Sequence, residues 1–491
     1  MTIAVIALLT VPAVAALASL WLPGRAAGLV TAASGIASFV LVLTLVPAAS
    51  HRDLAGLGFL RVDALSVVFL LATAFLYACV AAYSIGYLGT ARHGGAQDRR
   101  YAQRFWAGLN LFAWSMLATP LMGNLALLWV AIEVTTILSA LLVALEGTDG
   151  AAEAAWKYVL LASAGLAIAL LGTIFLYYAG SRVLGPSYDL AFGPLLAVAA
   201  HLPHTVVRLA FVLAVLGFGT KVGLFPVHTW LPDAHSEAPT PVSALLSGSL
   251  LAVSFYAILR FYQFTAAALG SGFPRDALLA FGVTSLLLAA LYVFGQRDIK
   301  RLLAYSSVEH MGILAIGVSF GAPAALAGVM LHVLAHAAAK GNAFMGAGVL
   351  VAKFGTKEIS VIRGGLDLLP WSGPLFLLAV FALSAMPPSG IFRSEFQIVY
   401  GGFGSGHFAA AAVLIVLVTV AFFGLSASVT RMLFTPAQLR ARPRISRGEP
   451  SAWMVVPVIA GVAVLFILGL HPPGELTGLI YRAAIQLGAA R

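Results

Sequence analysis

Six lysines occur among 491 residues, and two of them, Lys221 and Lys340, lie inside long apolar runs, while Lys157 stands at the start of another. Arginine keeps its proton in a protein, whereas a desolvated lysine can release it, so lysine is the cation suited to loading and unloading protons inside a membrane. Acids accompany these amines. Glu133 is central in "LLWVAIEVTTILSALLV", Glu309 adjoins His310 in "AYSSVEHMGILAIG", and Glu395 follows two prolines in "MPPSGIFRSEF". His332, His336 and Lys340 are spaced four apart in "LHVLAHAAAKGNAFMGAG", which puts all three on one helical face. One such residue can serve helix packing alone. Eight do not fit that use, because each intramembrane charge costs at least about 2.5–3.5 kcal/mol at a helix centre. Glu133, Lys157, Lys221, His310, His332, His336, Lys340 and Glu395 therefore read as groups that hand protons along. Lys157 also suits an interfacial side chain reaching for the headgroups. His332 and His336 have the spacing of a metal pair, but no third ligand follows at a suitable spacing, and Cys79 is the only cysteine. The expectation is no metal and no iron–sulfur cluster in this chain.

Spanning helices must position these groups. The chain is 61% hydrophobic and 9% charged, against roughly 25% charged in soluble domains. Apolar runs long enough to cross a bilayer recur along its length. The predicted fold is an all-α polytopic membrane protein of about fourteen spans, near 3–22, 27–48, 63–88, 105–120, 122–145, 154–180, 206–227, 241–265, 275–296, 302–320, 323–352, 370–393, 408–434 and 451–471. The first run lacks a basic leader region and is read as a membrane helix. The net charge of +10 falls mostly in loops. It reads as membrane orientation, not nucleic-acid binding. The basic loops "ARHGGAQDRRYAQR", "GQRDIKR", "AKFGTKEISVIRGG" and "RARPRISRG" each follow an odd-numbered span, which predicts a cytoplasmic side for them and both termini outside a bacterial or archaeal cytoplasmic membrane. "GFGTKVG" lacks the strand and spacing of a phosphate-binding loop, so no energy source is visible in the chain.

Two spans look broken. In the seventh, glycines and Pro226 surround Lys221; in the twelfth, Pro387 and Pro388 precede Glu395. Interrupted helices at matching places in two halves point to an internal repeat and an ion site. Five spans separate them, so the units would be inverted: 105–270 and 271–440, preceded by three helices in 1–104 and followed by helix fourteen and a tail in 441–491. After the first break come His228, Asp233, His235 and Glu237. These, with Glu309 and His310, are candidates for proton intake or coupling; Asp233, His235 and Glu237 read equally well as a solvated loop.

"KVGLFPVHTWLPDAHSEAPTPVSALLSG" followed by "RDIKRLLAYSSVEHMG" resembles the antiporter-like proton-pumping subunits of respiratory complex I, of multisubunit sodium/proton antiporters and of membrane-bound hydrogenases, nearest the hydrogenase-4 branch. The likeness extends to "WVAIEVTTILSALLVAL" and "AAWKYVLLASAG". It implies that Glu133 and Lys221 form a pair whose separation tunes the lysine, that Lys340 belongs to a central hydrophilic axis with His332 and His336, and that Glu395 faces an exit. Many members of that family carry Lys or His midway along the eighth helix, where this chain offers only Ser247, Ser249 and Ser254.

The expected function is a proton-translocating membrane subunit of a redox-driven complex. Its partners would be other membrane subunits and a soluble hydrogenase or dehydrogenase arm with iron–sulfur and nickel–iron centres, this chain holding no cofactor. The alternatives are a sodium/proton antiporter subunit without a redox partner and a non-pumping membrane scaffold.

Overall fold

The computed structural model describes residues 2–51, 54–57, 59–91, 96–436 and 446–488. Helices dominate: α1 (Thr2–Ser19), α2 (Gly24–His51), α3 (Ala64–Ala91), α4 (Ala96–Ala118), α5 (Leu125–Val143), α6 (Asp149–Leu184), α7 (His204–Val222), α8 (Thr240–Leu269), α9 (Gly272–Tyr292), α10 (Ile299–Phe320), α11 (Pro323–Phe354), α12 (Ser372–Leu383), α13 (Gly390–Gly404), α14 (Phe408–Phe434), α15 (Ala452–Leu470) and α16 (Gly474–Gln486). A small antiparallel hairpin, Leu54–Leu57 with Leu60–Val62, joins α2 to α3.

Among the described residues, twelve helices are long and apolar enough to cross a membrane, against fourteen spans expected. The two differences have physical causes. Helix α4 begins at Ala96, inside the expected basic loop, and carries Asp98, Arg99, Arg100 and Arg104 on its first turns. The twelfth span is divided between α12 and α13. The expected unit boundary at 104/105 consequently falls within α4, and the one at 440/441 lies outside the described residues, as do parts of the basic loops at 92–95 and 437–445. The expected tail contains a further helix, α16, whose Gln486 side chain accepts a hydrogen bond from the Leu65 backbone at 3.0 Å.

Of the charge-bearing helices, α10 and α11 are the most enclosed, while the apolar windows of α5 and α7, which carry Glu133 and Lys221, are 50% and 61% buried. The apolar windows of α8 and α10 are wholly buried and that of α11 is 94% buried, whereas those of α1, α9 and α14 are one-third buried. The outer helices thus screen the central ones from lipid, and an ionisable group there meets protein, as it must to be tolerated.

Close helix contacts set the breaks. Helix α7 crosses α6 at Gly217, where an added Cβ would come 2.4 Å from the Ala169 nitrogen; small residues let membrane helices approach to backbone distance. Helix α7 stops at Gly223, whose φ of +83° suits glycine. The N–H groups of Gly223 and Leu224 both reach the Gly219 carbonyl at 2.9 Å. Pro226 has no N–H to continue the helix, and the chain re-forms as the short helix Leu231–Glu237 before α8 begins. Helix α13 restarts after Pro387 and Pro388 with Ser389 as its cap, accepting from the Phe392 N–H at 3.2 Å. Helix α8 contains a π-helical segment, Leu246–Leu250, a local widening often found where a helix carries function.

A buried ion pair ties α3 to α8. Arg260 donates to both oxygens of Asp63, at 2.7 and 2.8 Å, and to the Tyr256 hydroxyl at 2.7 Å. Burial raises the Asp63 pKa, but Arg260 and then Arg61 outweigh it and hold the carboxyl well below the usual range.

Two predictions follow from this packing. Gly217→Ala lowers stability by about 1–3 kcal/mol, read as detergent melting, while Gly193→Ala, with open space around it, leaves it unchanged. Asp63→Asn costs about 3–5 kcal/mol by stranding Arg260. Because the Asp63 pKa is depressed on folding, its contribution is complete above about pH 4 and fades as pH falls through the folded value. Wild-type and Asp63→Asn melting curves compared between pH 5 and 8 keep a constant separation.

Candidate functional site

Lys221 lies on the last turn of α7, fully buried. Its ammonium donates to Thr136 Oγ1 at 2.9 Å and to the Tyr158 hydroxyl, and it stands 4.5 Å from the centroid of the Tyr158 ring. Tyr158 shares a 2.7 Å hydrogen bond with Ser139. Helix α5 therefore presents Thr136 to the amine and Ser139 to the phenol that α6 supplies. Glu133 lies one turn before Thr136. Its Oε1 accepts from Ser163 at 2.9 Å, and its Oε2 is buried without a partner. Among the described residues no carboxylate forms an ion pair with Lys221; hydroxyls hold it, and Glu133 acts on it at longer range.

Lys157 lies outside this pocket. It is half exposed and pairs with Glu153 at 2.6 Å and Asp233 at 3.4 Å, and Arg301 reaches Asp233 at 3.2 Å. The side chain beside the buried amine is its neighbour, Tyr158. The sequence signal for Tyr158 was a phenol inside the apolar run "WKYVLLASAG", outweighed by the lysine next to it. Nearby, Lys357 pairs with Glu237 at 2.9 Å, and Lys300 donates to the Ala238 carbonyl at 2.7 Å. Asp233 and Glu237 thus belong to a partly exposed ionic rim on the side of the basic loops.

The short helix after the break carries a different kind of group. Trp230 stacks on Tyr158 with centroids 4.3 Å apart and donates its indole N–H to the Thr220 carbonyl at 2.7 Å. His235 follows, fully buried, between Trp230 and Phe344, with centroids at 6.4 and 5.5 Å. Neither of its ring nitrogens has a partner. Burial, then the charges of Lys340 and Lys300, push its pKa down to about 3. A neutral imidazole keeps one N–H to give and one nitrogen to accept. His228, also buried, has an unpartnered Nδ1, and burial lowers its pKa.

Lys340, on α11, is fully buried; it donates to the Leu303 carbonyl at 2.9 Å and to Ser306. Of the three candidate serines of α8, Ser247 faces this site, sharing a 2.7 Å hydrogen bond with Ser307. Ser249 turns to Thr73 on α3 and Ser254 bonds within its own helix. Beyond Lys340, His310 Nδ1 is 3.1 Å from His332 Nε2, His332 Nδ1 is 2.9 Å from Ser394 Oγ, and Glu395 Oε1 is 3.9 Å from His310 Nδ1. The rings of His310 and His336 are 5.2 Å apart. Both nitrogens of His336 and one oxygen each of Glu309 and Glu395 are buried without partners.

The structure therefore gathers Glu133 with Lys221, and Lys340 with His310, His332, His336 and Glu395, while His235 lies between the two groups. The absence of a third metal ligand was a reading of one helix only. His310, His332 and Glu395 come from α10, α11 and α13, and their ligand atoms lie within 4.8 Å of one another, without His336.

Residues 122–423 match the model of the family described as NADH:quinone oxidoreductase/Mrp antiporter, transmembrane. The chain is 34% identical to a hydrogenase-4 component F homolog of Methylacidiphilum infernorum over 442 residues, 87% of this chain and 89% of that one. It is 32% identical to NADH-quinone oxidoreductase subunit N of Desulforudis audaxviator over 372 residues, 74% and 73% of the two chains. A chain of respiratory complex I from Thermus thermophilus superposes with a TM-score of 0.81 at 25% identity, covering 99% of this chain and 100% of that one. This chain belongs to the NADH:quinone oxidoreductase/Mrp antiporter transmembrane family.

Proposed function

We propose that this chain is a proton-translocating membrane subunit of a redox-driven complex of the hydrogenase or complex I type, and that Lys221 is its proton-loading site. The observation that carries the reading is a fully buried amine held by two hydroxyls, with Glu133 one turn before Thr136 on α5, not ion-paired to the amine and with one oxygen unpartnered. Hydroxyls can solvate an ammonium or accept a hydrogen bond from an amine, so the pocket tolerates both forms. Closer approach of Glu133 favours the ammonium and retreat favours the amine.

The proton enters from the side of the basic loops, which we assign to the cytoplasm, with both termini outside a bacterial or archaeal cytoplasmic membrane. It loads Lys221 and passes to Lys340 by way of His235, whose two free nitrogens can take a proton on one side and release another on the other. Trp230 cannot carry it, since indole is a donor only and its N–H is engaged. The path runs round that ring through water admitted beside the broken end of α7, where backbone groups are freed. From Lys340 the imidazoles of His336, His310 and His332 lead to Glu395. The ionic rim of Lys157, Asp233 and Glu237 serves intake. We assign two inverted five-helix units, 105–270 and 271–440, on the five-span separation of the two broken helices.

Moving one charge against the field costs about 2.3 kcal/mol per 100 mV, so the work must come from outside the chain. We assign it to a soluble hydrogenase or dehydrogenase arm with iron–sulfur and nickel–iron centres, acting through neighbouring membrane subunits.

Proton uptake into sealed vesicles holding the intact complex checks this reading. Lys221→Ala and Glu133→Gln lower the protons moved per electron at least about tenfold, with subunit composition unchanged. Normal pumping by both variants, or sodium-dependent transport with no electron donor, would contradict it. His235→Phe, which preserves the ring packing, lowers pumping similarly; His235→Gln, which retains a donor and an acceptor, recovers part of it. Equal pumping by wild type and His235→Phe removes His235 from the path.

A further inference from the structure

The cluster at the far end of the axis has a geometry that proton transfer does not require. His310 Nδ1, His332 Nε2 and Glu395 Oε1 converge from three different helices, with separations of 3.1 Å between the two nitrogens and 3.9 Å from His310 to the carboxylate, all within 4.8 Å. Ligands about 2.0–2.2 Å from a tetrahedral zinc ion stand roughly 3.3 Å from one another. Two of the separations are thus already near those a metal imposes, and the third needs only a side-chain adjustment.

The outer partner of His332 fits as well. A metal-bound imidazole usually gives its other N–H to a hydrogen-bond acceptor, which fixes its tautomer. His332 Nδ1 is 2.9 Å from Ser394 Oγ, leaving Nε2 free to face the cluster. Glu395 Oε1 is buried without a partner among the described residues and is free to ligate; His310 Nε2 likewise has none, so outer support of the site comes from Ser394 on the His332 side. The rings themselves are fully buried and the carboxylate side chain is 9% exposed, so Glu395 is the member of the cluster nearest solvent. Two imidazoles and one carboxylate form the donor set that suits zinc when the fourth position is left to water.

We propose that His310, His332 and Glu395 form a binding site for a divalent transition-metal ion of the zinc type, and that occupancy closes the outer end of the proton path. Binding moves the His310 proton from Nδ1 to Nε2 and expels any proton held by Glu395. Metal and translocated proton therefore compete for the same atoms. The neighbouring charges set the terms: protonated Lys340 opposes the ion and Glu309 favours it, with His336 beside them. The binding claim stands apart from the transport reading, and only the closing of the path rests on it.

Zinc binding to the purified full-length chain in detergent, measured by equilibrium dialysis, tests the site directly. Cobalt serves as a spectroscopic probe that reports tetrahedral imidazole–carboxylate ligation. Wild type binds one equivalent of either ion, and zinc displaces cobalt. His332→Ala, His310→Ala and Glu395→Gln each weaken binding at least about tenfold, and Ser394→Ala weakens it about 10- to 100-fold by releasing the His332 ring. His336→Ala leaves it within about threefold of wild type, the spread ordinary for a context change outside the ligand set. Each variant is first checked for a wild-type melting transition; the Glu395→Gln and Ser394→Ala changes are small enough to decide the matter if a histidine variant unfolds. No bound equivalent in wild type overturns the site, and so does equal affinity across the ligand variants. In vesicles of the intact complex, zinc that binds this site yet leaves pumping at full rate would retain the site and refute its position in the proton path.

Discussion

An ammonium group inside a bundle of apolar helices must be solvated by the protein or lose its charge. That constraint governs this molecule. Lys221 and Lys340 are both fully buried, and each is met by a short hydroxyl side chain and a phenol or carbonyl, with no ion-paired acid among the described residues. A tight ion pair would fix each amine as an ammonium; a purely apolar pocket would fix it as a neutral amine. Hydroxyl solvation leaves both states within reach and allows a more distant acid, Glu133 or Glu309, to decide between them.

The rest of the fold serves that condition. Helices α10 and α11, which carry His310, His332, His336 and Lys340, are among the most enclosed, and Lys221 is fully buried on α7 although that helix as a whole is not. The glycine crossing of α6 and α7 brings Tyr158 and Lys221 together, and the break after Gly223 turns the chain inward so that His235 reaches the interior on a short helix. By contrast, Asp63 and Arg260 form a fully paired buried cluster in which the carboxyl is held in its charged form. The same protein thus buries charge in two ways: fixed where it binds α3 to α8, and adjustable along the central axis.

Much of this was legible in the residues. The apolar runs gave the spans, Pro226 and the Pro387–Pro388 pair marked the breaks, and lone ionisable groups within apolar runs named Glu133, Lys221, Lys340, His332 and Glu395 as candidates. What escaped has a common cause: one-dimensional spacing reports one helix at a time. Tyr158 was hidden because a phenol in an apolar run looks like packing, while the charged Lys157 beside it drew attention and turned out to face the rim. The metal-like cluster joins three helices, so no spacing along one of them could reveal it. His235 sat in a segment readable as a solvated loop, and only its complete burial distinguishes it. Helix α4 started early because its charged first turns suited a loop as well as a helix end.

The central claim is that the Lys221 amine exchanges between two protonation states under the control of Glu133. With only six lysines in the chain, nitrogen NMR of side-chain-labelled lysine in lipid can resolve the Lys221 resonance, assigned by its loss in Lys221→Arg. The account predicts a signal that moves between ammonium and amine positions as pH is varied from 5 to 10, with a midpoint that changes in Glu133→Gln. A Lys221 resonance fixed in one state across that range, in both wild type and Glu133→Gln, would contradict it.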